Sequence, residues 1–270
     1  MKPAYSIWVS SQKGGVGKTT ISVNLAILLG EQNFKVLLID NDLISPSVGL
    51  LLDIGATTSG IREVMSGKLS LERAIIKHDS GIDVLPGTQR YRGIPKIDAI
   101  AKVLRKAKKL GNYDFIITDT APGYWYPELA RLYDEALIVS TITTPSLASA
   151  MRFGMFYNKE QVKHNFILNK MTNDRYSITT REAEDALSQR TLTSLPEDSN
   201  VPKAESFHIP VYLYKNRSPF CQQLRVLARF YAAQRGGEEM LPEVPKGHSF
   251  WSTFVEPLRW LFRTKPRQNI

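Results

Sequence analysis

Residues 13–20 read Lys-Gly-Gly-Val-Gly-Lys-Thr-Thr, and this stretch decides the fold. Its spacing fits the phosphate-binding loop Gly-x-x-x-x-Gly-Lys-Ser/Thr when the first glycine of that pattern is relaxed. Glycines allow consecutive backbone N–H groups to turn toward a phosphate without a Cβ in the way. The stretch differs from an ordinary phosphate loop because it contains two lysines, Lys13 and Lys18.

The neighbouring sequence predicts that this loop connects a strand to a helix. Residues 5–10 read as a buried strand, and residues 18–31 read as a buried helix. Such a helix directs its N-terminal N–H groups and its dipole at a bound anion. Lys18 lies where a lysine reaches the β- and γ-phosphates, and Thr19 lies where a hydroxyl ligates Mg²⁺. A glycine-rich turn without function is the alternative, but it gives the two lysines no purpose.

The same eight residues are similar to the deviant Walker A motif of the MinD/ParA class of P-loop ATPases, and the resemblance extends over residues 4–233. It implies an ATPase that uses ATP and Mg²⁺ and dimerises in its ATP state. It also implies that Lys13 reaches across the dimer to the nucleotide of the other subunit. The residues that would cradle the nucleotide are Gly14, Gly15, Val16, Gly17, Lys18, Thr19 and Thr20.

Composition describes an ordinary globular protein with a local excess of positive charge. The chain has 270 residues, 43% of them hydrophobic and 23% charged, which suits one large α/β domain with an appendage. Its single cysteine, Cys221, excludes an intramolecular disulfide and a cysteine metal cluster. No signal peptide and no apolar run of spanning length are visible, so we expect a cytoplasmic protein with peripheral membrane contact only.

Short apolar runs alternate with helical patterns along the chain. This alternation predicts an α/β fold, a doubly wound, mostly parallel sheet flanked by helices, with ligands at the carboxyl ends of the strands. The predicted strands are residues 6–10, 35–40, 82–85, 115–119, 136–140, 165–169, 193–195 and 211–214. The predicted helices are residues 18–31, 97–110, 146–157, 180–189 and 218–234.

Two of these strands end in carboxylates. Asp40 and Asp42 follow the second strand, and Asp119 ends the strand at residues 115–119. A carboxylate after an apolar strand needs a cation, water or solvent, and the position of Asp119 is that of a Walker B aspartate, which holds the Mg²⁺ hydration shell. The resemblance gives Asp40 a role in the Mg²⁺ water shell and makes Asp42 the residue that positions the attacking water. An Asx-turn or helix N-cap is the alternative for the first pair.

Later strand ends supply candidates for contact with the base. Asn169 ends the strand at residues 165–169, and its amide offers both a donor and an acceptor, which suits the edge of adenine. The resemblance places an adenine-contacting asparagine at this strand end. It places a second base-contacting loop at Pro196 and Glu197.

The C-terminal region changes in composition. Residues 236–249 are rich in glycine, proline and glutamate and predict a linker after an ATPase domain at residues 1–235. Residues 250–265 carry one apolar stripe with flanking cations, the pattern of a membrane-targeting helix on an anionic membrane. Docking of this helix on the domain is the alternative. The stripe consists of Phe250, Trp251, Phe254, Val255, Leu258, Leu261 and Phe262.

A second basic segment keeps another function open. Residues 96–110 hold six basic residues and one acid. A solvated cationic helix face is the usual meaning of such a segment, and nonspecific DNA binding is the functional alternative.

Taken together, the motif and the C-terminal stripe lead us to expect a MinD-type ATPase that cycles between cytosol and membrane, positions division or other polar machinery, and is stimulated by a protein partner. The alternative is a ParA-type segregation ATPase that binds DNA. An iron–sulfur carrier of the same fold would need a Cys-x-x-Cys motif.

Overall fold

The structure is a computed structural model of the 270-residue chain. It describes residues 2–55, 57, 59–88, 97–123 and 127–236. The predicted membrane-targeting helix at residues 250–265 lies outside the described residues, as does the predicted linker except for Gly236.

The strands in the described part of the chain form one sheet. They are β1 (Tyr5–Ser10), β2 (Val36–Asn41), β3 (Ile76–Lys77), β4 (Asp83–Leu85), β5 (Phe115–Thr120), β6 (Glu135–Thr141), β7 (His164–Met171) and β8 (Thr191–Pro196). Their order across the sheet is β3-β4-β2-β5-β1-β6-β7-β8. Only the pairing of β3 with β4 is antiparallel among these strands.

Helices lie between the strands along the chain, and three more follow the last strand of the described part. They are α1 (Lys18–Glu31), α2 (Val48–Leu51), α3 (Ile61–Met65), α4 (Leu71–Ala74), α5 (Ile97–Leu110), α6 (Pro127–Ala130), α7 (Thr144–Lys159), α8 (Thr180–Leu187), α9 (Asn200–Ser206), α10 (Val211–Tyr214) and α11 (Pro219–Gly236). Within the described ranges, no helix is long and apolar enough to cross a lipid bilayer.

The sheet is covered on both faces. Helices α3 to α8 contribute to one hydrophobic cluster, while α1, α2 and α9 to α11 contribute to the other. Every residue of β2 and β5 is buried, which explains why these strands read as continuous apolar runs without alternation. The predicted doubly wound, mostly parallel sheet is confirmed.

The prediction of a strand at residues 211–214 was wrong. These residues form the single helical turn α10, in which the N–H groups of Leu213 and Tyr214 donate to the Pro210 carbonyl at 2.9 and 3.0 Å. The Tyr212 N–H donates to Asn24 Oδ1 of α1 at 2.8 Å, so this backbone is satisfied away from the sheet. Four apolar residues are too few for periodicity to distinguish a helical turn from a buried strand.

The sheet places the phosphate loop at its carboxyl edge. The loop occupies residues 11–17, between the end of β1 and the start of α1. Because β1 lies between β5 and β6, the residues that follow these strands surround the loop. The ends of β2 and β7 lie one strand further out on either side. This arrangement brings the predicted site residues to one edge.

Candidate nucleotide site

Two glycines give the loop its shape. Gly15 and Gly17 have φ values of +71° and +97°, in the left-handed region that side chains rarely adopt. A Cβ at Gly17 would lie 2.2 Å from Asn169 Nδ2, so only glycine fits there. The loop therefore passes close to the end of β7 and then enters α1 with its N–H groups at the open edge of the sheet.

Lys18 is enclosed in the loop. Its side chain is buried, and Nζ donates to Ser11 Oγ at 3.1 Å, while that hydroxyl donates to the Lys13 carbonyl at 2.6 Å. Burial lowers the pKa of Lys18, although the charges of Asp119 and Asp42 oppose this shift. A buried ammonium held in this way is positioned to neutralise an entering anion.

Lys13 differs from Lys18 in its surroundings. It is only partly buried, and no hydrogen bond or ion pair of its ammonium is found among the described residues. The two lysines of the motif are therefore not equivalent. Lys18 is buried and hydrogen-bonded within its own loop, whereas Lys13 is partly exposed.

Asp119 and Thr19 meet beside the loop, as the predicted Mg²⁺ site requires. Thr19 Oγ1 donates to Asp119 Oδ2 at 2.6 Å, and Ser22 Oγ donates to the other carboxylate oxygen at 3.3 Å. Burial raises the pKa of Asp119 to about 6, against the lowering effects of the Thr19 hydrogen bond and the Lys18 charge.

Asp40 is the lateral neighbour of Asp119. The two residues are paired in register between β2 and β5, and both are fully buried. The carboxylate of Asp40 accepts the N–H groups of Asp42 and Val48, each at 3.1 Å. Burial, with the charge of Asp119, raises the pKa of Asp40 well above its usual value. A cation at this edge would relieve the cost of ionising both carboxylates.

Asp42 forms a turn within its own loop. Its Oδ1 accepts the N–H groups of Ile44 at 3.1 Å and Ser45 at 2.8 Å, which is an Asx-turn. The residue is half-buried, and its charge acts on Lys18, Asp40 and Asp119. The turn that was the alternative prediction is thus formed, while the role of Asp42 toward water stays a prediction.

Asn169 and the segment at Pro196 and Glu197 lie close to each other. Asn169 Nδ2 donates to the Val16 carbonyl at 2.8 Å, so its amide supports the phosphate loop directly. The Glu197 N–H donates to the carbonyl of Met171 at 2.8 Å, which brings the second predicted segment alongside the end of β7. Contact of either segment with adenine stays a prediction.

The sequence did not predict two contacts, one to the loop and one to the first turn of α1. Lys170 Nζ donates to the Gly15 carbonyl at 2.9 Å, and the residue holds a left-handed φ of +56°. Thr20 Oγ1 donates to Glu205 Oε1 of α9 at 2.6 Å. The strand-end position of Lys170, next to Asn169, was the one available signal. No sequence spacing connects Thr20 with Glu205.

The residues present fit Mg²⁺ and a nucleoside triphosphate. The loop provides a glycine backbone and a buried ammonium, and the adjacent strand ends provide a hydroxyl and two buried carboxylates. In the described part of the chain, no three His, Cys, Asp or Glu side chains gather as a metal site. A hydroxyl with carboxylates acting through water is the usual donor set for nucleotide-bound Mg²⁺. The fold and this site define a P-loop nucleoside triphosphatase.

Comparison with known families gives a more specific assignment. The family model described as ParA, NUBPL iron-transfer P-loop NTPase, matches residues 3–228. The chain belongs to this family, the MinD/ParA class of P-loop ATPases, whose cofactors are ATP and Mg²⁺. The sequence resemblance is thereby confirmed.

Relatives come from several branches of the family. An uncharacterised ATP-binding protein of Methanocaldococcus jannaschii is 31% identical over 84% of this chain and 87% of its own. The antiactivator FleN of Pseudomonas aeruginosa is 27% identical over 96% of this chain and 94% of its own. The structure of the septum site-determining protein MinD with Mg-ADP from Pyrococcus horikoshii has a TM-score of 0.75 and 28% identity, and covers 88% of this chain and 100% of its own.

The raised pKa of Asp119 predicts how stability depends on pH. Its pKa in the folded, ligand-free protein is about 6, against an ordinary value of 3.8, so the folded state retains a proton that the unfolded state has lost. The stabilisation is complete below the unfolded value and is lost as pH rises toward the folded value. In EDTA, Asp119 should therefore contribute a fall of up to about 3 kcal/mol in the free energy of unfolding in urea between roughly pH 4 and pH 6.

The variant Asp119→Asn should make this pH profile less steep, because the amide does not ionise and the contribution of Asp119 is lost. Asp53→Asn is the matched control, since Asp53 is exposed and lies outside the site. Equal profiles for Asp119→Asn and the parent protein would contradict the assignment of the buried charge to Asp119.

Proposed function

We propose that this protein is an ATP-hydrolysing switch of MinD type. It dimerises with ATP, binds an anionic membrane in that state, and positions cell-division or other polar machinery. Hydrolysis is slow, is stimulated by a partner protein, and returns the subunits to the cytosol. Each subunit then carries an incomplete catalytic site of its own.

The unlike surroundings of the two loop lysines carry this proposal. Lys18 is buried and hydrogen-bonded within the subunit, whereas Lys13 is partly exposed and has no such partner in the described ranges. A second lysine without a local role is explained when it completes the site of the other subunit. It would then stabilise charge on the transferring phosphoryl group, much as an arginine finger does.

Hydrolysis in such a site depends on positioning and charge neutralisation. Lys18 and the N–H groups at the start of α1 would hold the phosphates, and Thr19 with Asp40 and Asp119 would hold Mg²⁺, which when bound would supply charge neutralisation at the phosphate oxygens. Asp42 orients the attacking water, and to do so its carboxylate must be presented to the nucleotide while its loop remains folded.

The C-terminal stripe supports the membrane part of the proposal. The sequence of residues 250–265 combines aromatic residues with cations, as that of an interfacial helix does. One short helix binds a bilayer marginally, but a dimer presents two, and the avidity gained can reach about 10²–10⁴-fold. A relative from Thermotoga maritima is named septum site-determining protein MinD, which supports a role in placing the septum.

DNA binding is the second candidate, and one surface favours it. Helix α5 buries its apolar residues and exposes Lys102, Arg105, Lys106 and Lys109 on its outer face. Lys108 is occupied with the Leu132 carbonyl and Asp134, at 3.1 and 3.2 Å. Iron–sulfur transfer has weaker support, because Cys221 is fully buried in α11 and the 270 residues hold no second cysteine.

Variants of the two lysines test the shared site. Lys18→Ala should abolish tight ATP binding, because it removes the buried charge at the phosphates. Lys13→Ala should retain much of the binding and lose stimulated hydrolysis by about 10³-fold, the effect of removing an arginine finger. Binding of a fluorescent ATP analogue and phosphate release with anionic vesicles measure the two properties.

The exposed Lys35 provides a matched control for loss of one lysine, since Lys35→Ala lies outside the loop. The cross-subunit role of Lys13 is wrong if Lys13→Ala hydrolyses ATP as fast as Lys35→Ala under the same stimulation.

Two variants of Asp42 separate its turn from its catalytic role. Asp42→Asn keeps an oxygen that can accept the N–H groups of Ile44 and Ser45, whereas Asp42→Ala removes it. Both should bind ATP, fail to hydrolyse it, and accumulate as dimers, because both lack the carboxylate. Size-exclusion chromatography in ATP and single-turnover hydrolysis provide the readouts. If Asp42→Asn hydrolyses ATP like the parent, the carboxylate has no catalytic role and Asp42 serves only to form its turn.

The tail decides between the two leading functions. Deletion of residues 247–270 should remove ATP-dependent sedimentation with anionic vesicles and leave nucleotide binding intact. Trp251→Glu or Phe254→Glu should act similarly by charging the apolar stripe, whereas Gln268→Glu makes the same charge change outside it. The ADP form is expected to be a monomer with a single tail, so neither the parent nor any of these variants should sediment with vesicles in ADP.

Duplex DNA is tested in parallel. ATP-dependent DNA binding that is lost when Lys102, Arg105 and Lys106 become alanine, together with vesicle binding that survives the deletion, would assign the protein to the segregation branch.

A further inference from the structure

Ser47 is a polar residue at the nucleotide edge that has no assigned role. It precedes α2, in the segment that follows Asp42, and its Oγ lies 3.1 Å from Thr19 Oγ1. Thr19 is the hydroxyl of the loop that the Mg²⁺ site requires. Two segments separated by 28 positions in the chain are thus joined by a hydroxyl pair at that site.

The local role expected of Ser47 is not fulfilled. Serine is favoured at the N-cap of a helix because its Oγ accepts an N–H group of the first turn. Ser47 occupies the N-cap of α2 and makes no such hydrogen bond. Its hydroxyl is directed at the phosphate loop instead, so the choice of serine is not explained by the helix it begins.

The direction of the hydrogen bond follows from the neighbouring contact. Thr19 Oγ1 gives its proton to Asp119 Oδ2, at the shorter distance of 2.6 Å. Ser47 must therefore donate to Thr19, since each hydroxyl has one proton. The oxygen of Thr19 is the atom that would ligate Mg²⁺, so Ser47 already contacts the ligand atom of the metal site.

The backbone around Ser47 is fixed in place. The following residue, Val48, donates its N–H to Asp40 Oδ2 at 3.1 Å. On the other side, a Cβ at Gly87 would lie 2.3 Å from Pro46 Cβ and 3.1 Å from Asp40 Oδ2, so the loop after β4 closes tightly over this segment. Ser47 can rotate its hydroxyl but cannot easily move away from Thr19.

We propose that Ser47 is a positioning residue of the Mg²⁺ site that connects α2 to the bound nucleotide. Mg²⁺ keeps several waters in a near-octahedral shell. With Mg²⁺ bound at the Thr19 oxygen, the Ser47 hydroxyl would hold one of these waters and would connect the start of α2 to the metal site. This role rests on the ATP and Mg²⁺ binding of the family and is independent of the proposed membrane cycle.

The dependence of nucleotide affinity on Mg²⁺ tests the proposal. The dissociation constant of fluorescently labelled ADP is measured for the full chain in excess Mg²⁺ and in EDTA. Ser47→Ala should reduce the Mg²⁺-dependent gain in affinity about tenfold, as loss of outer-shell partners does at other metal sites. Its affinity in EDTA should equal that of the parent, because the phosphate contacts of the loop are unchanged.

Two further variants make the result decisive. Ser45→Ala removes a hydroxyl from the same loop at an exposed position and should leave the Mg²⁺ gain unchanged. Ser47→Thr retains the hydroxyl and should retain most of the gain. An equal Mg²⁺ gain in Ser47→Ala and the parent would overturn the proposal. An equal loss of affinity in Mg²⁺ and in EDTA would also overturn it, since that pattern indicates a structural role.

Discussion

Two carboxylates buried side by side constrain the rest of this structure. Asp40 and Asp119 are paired in register on neighbouring strands, both fully buried, and their burial raises the pKa of each. Lys18 is buried nearby with a lowered pKa. Each charge is costly in the absence of a ligand, and Mg²⁺ with a polyphosphate would compensate all three together. The strand order, the glycine loop and the start of α1 serve to bring these groups to one edge.

The segment after β2 connects the buried carboxylates to helix α2. The carboxylate of Asp40 accepts the N–H groups of Asp42 and Val48, at the two ends of the segment, and Asp42 closes a turn between them. Ser47 joins the end of the same segment to Thr19. Asp40 and Thr19 are therefore hydrogen-bonded directly to residues at the start of α2. Such a segment has the local connections that a nucleotide-dependent switch requires.

Much of the site could be predicted from the sequence, because its residues lie in or directly after apolar strands. The loop at residues 13–20, Asp40 and Asp119 were predicted in this way, and the sheet they belong to is confirmed. The contacts of Lys170 with Gly15 and of Glu205 with Thr20 could not be found, since they join residues 155 and 185 positions apart without a shared pattern. The helical turn at residues 211–214 was missed because Asn24, distant in sequence, satisfies its backbone.

Thermal unfolding with each ligand alone and with both tests the central claim most directly. If Mg²⁺ and the nucleotide compensate the buried charges only when both are bound, Mg²⁺ alone and ADP alone should each raise the melting temperature only slightly. Mg·ADP should raise it by clearly more than the two separate shifts combined, and Asp119→Asn should lose this excess. Additive shifts, or an excess that persists in Asp119→Asn, would contradict the account.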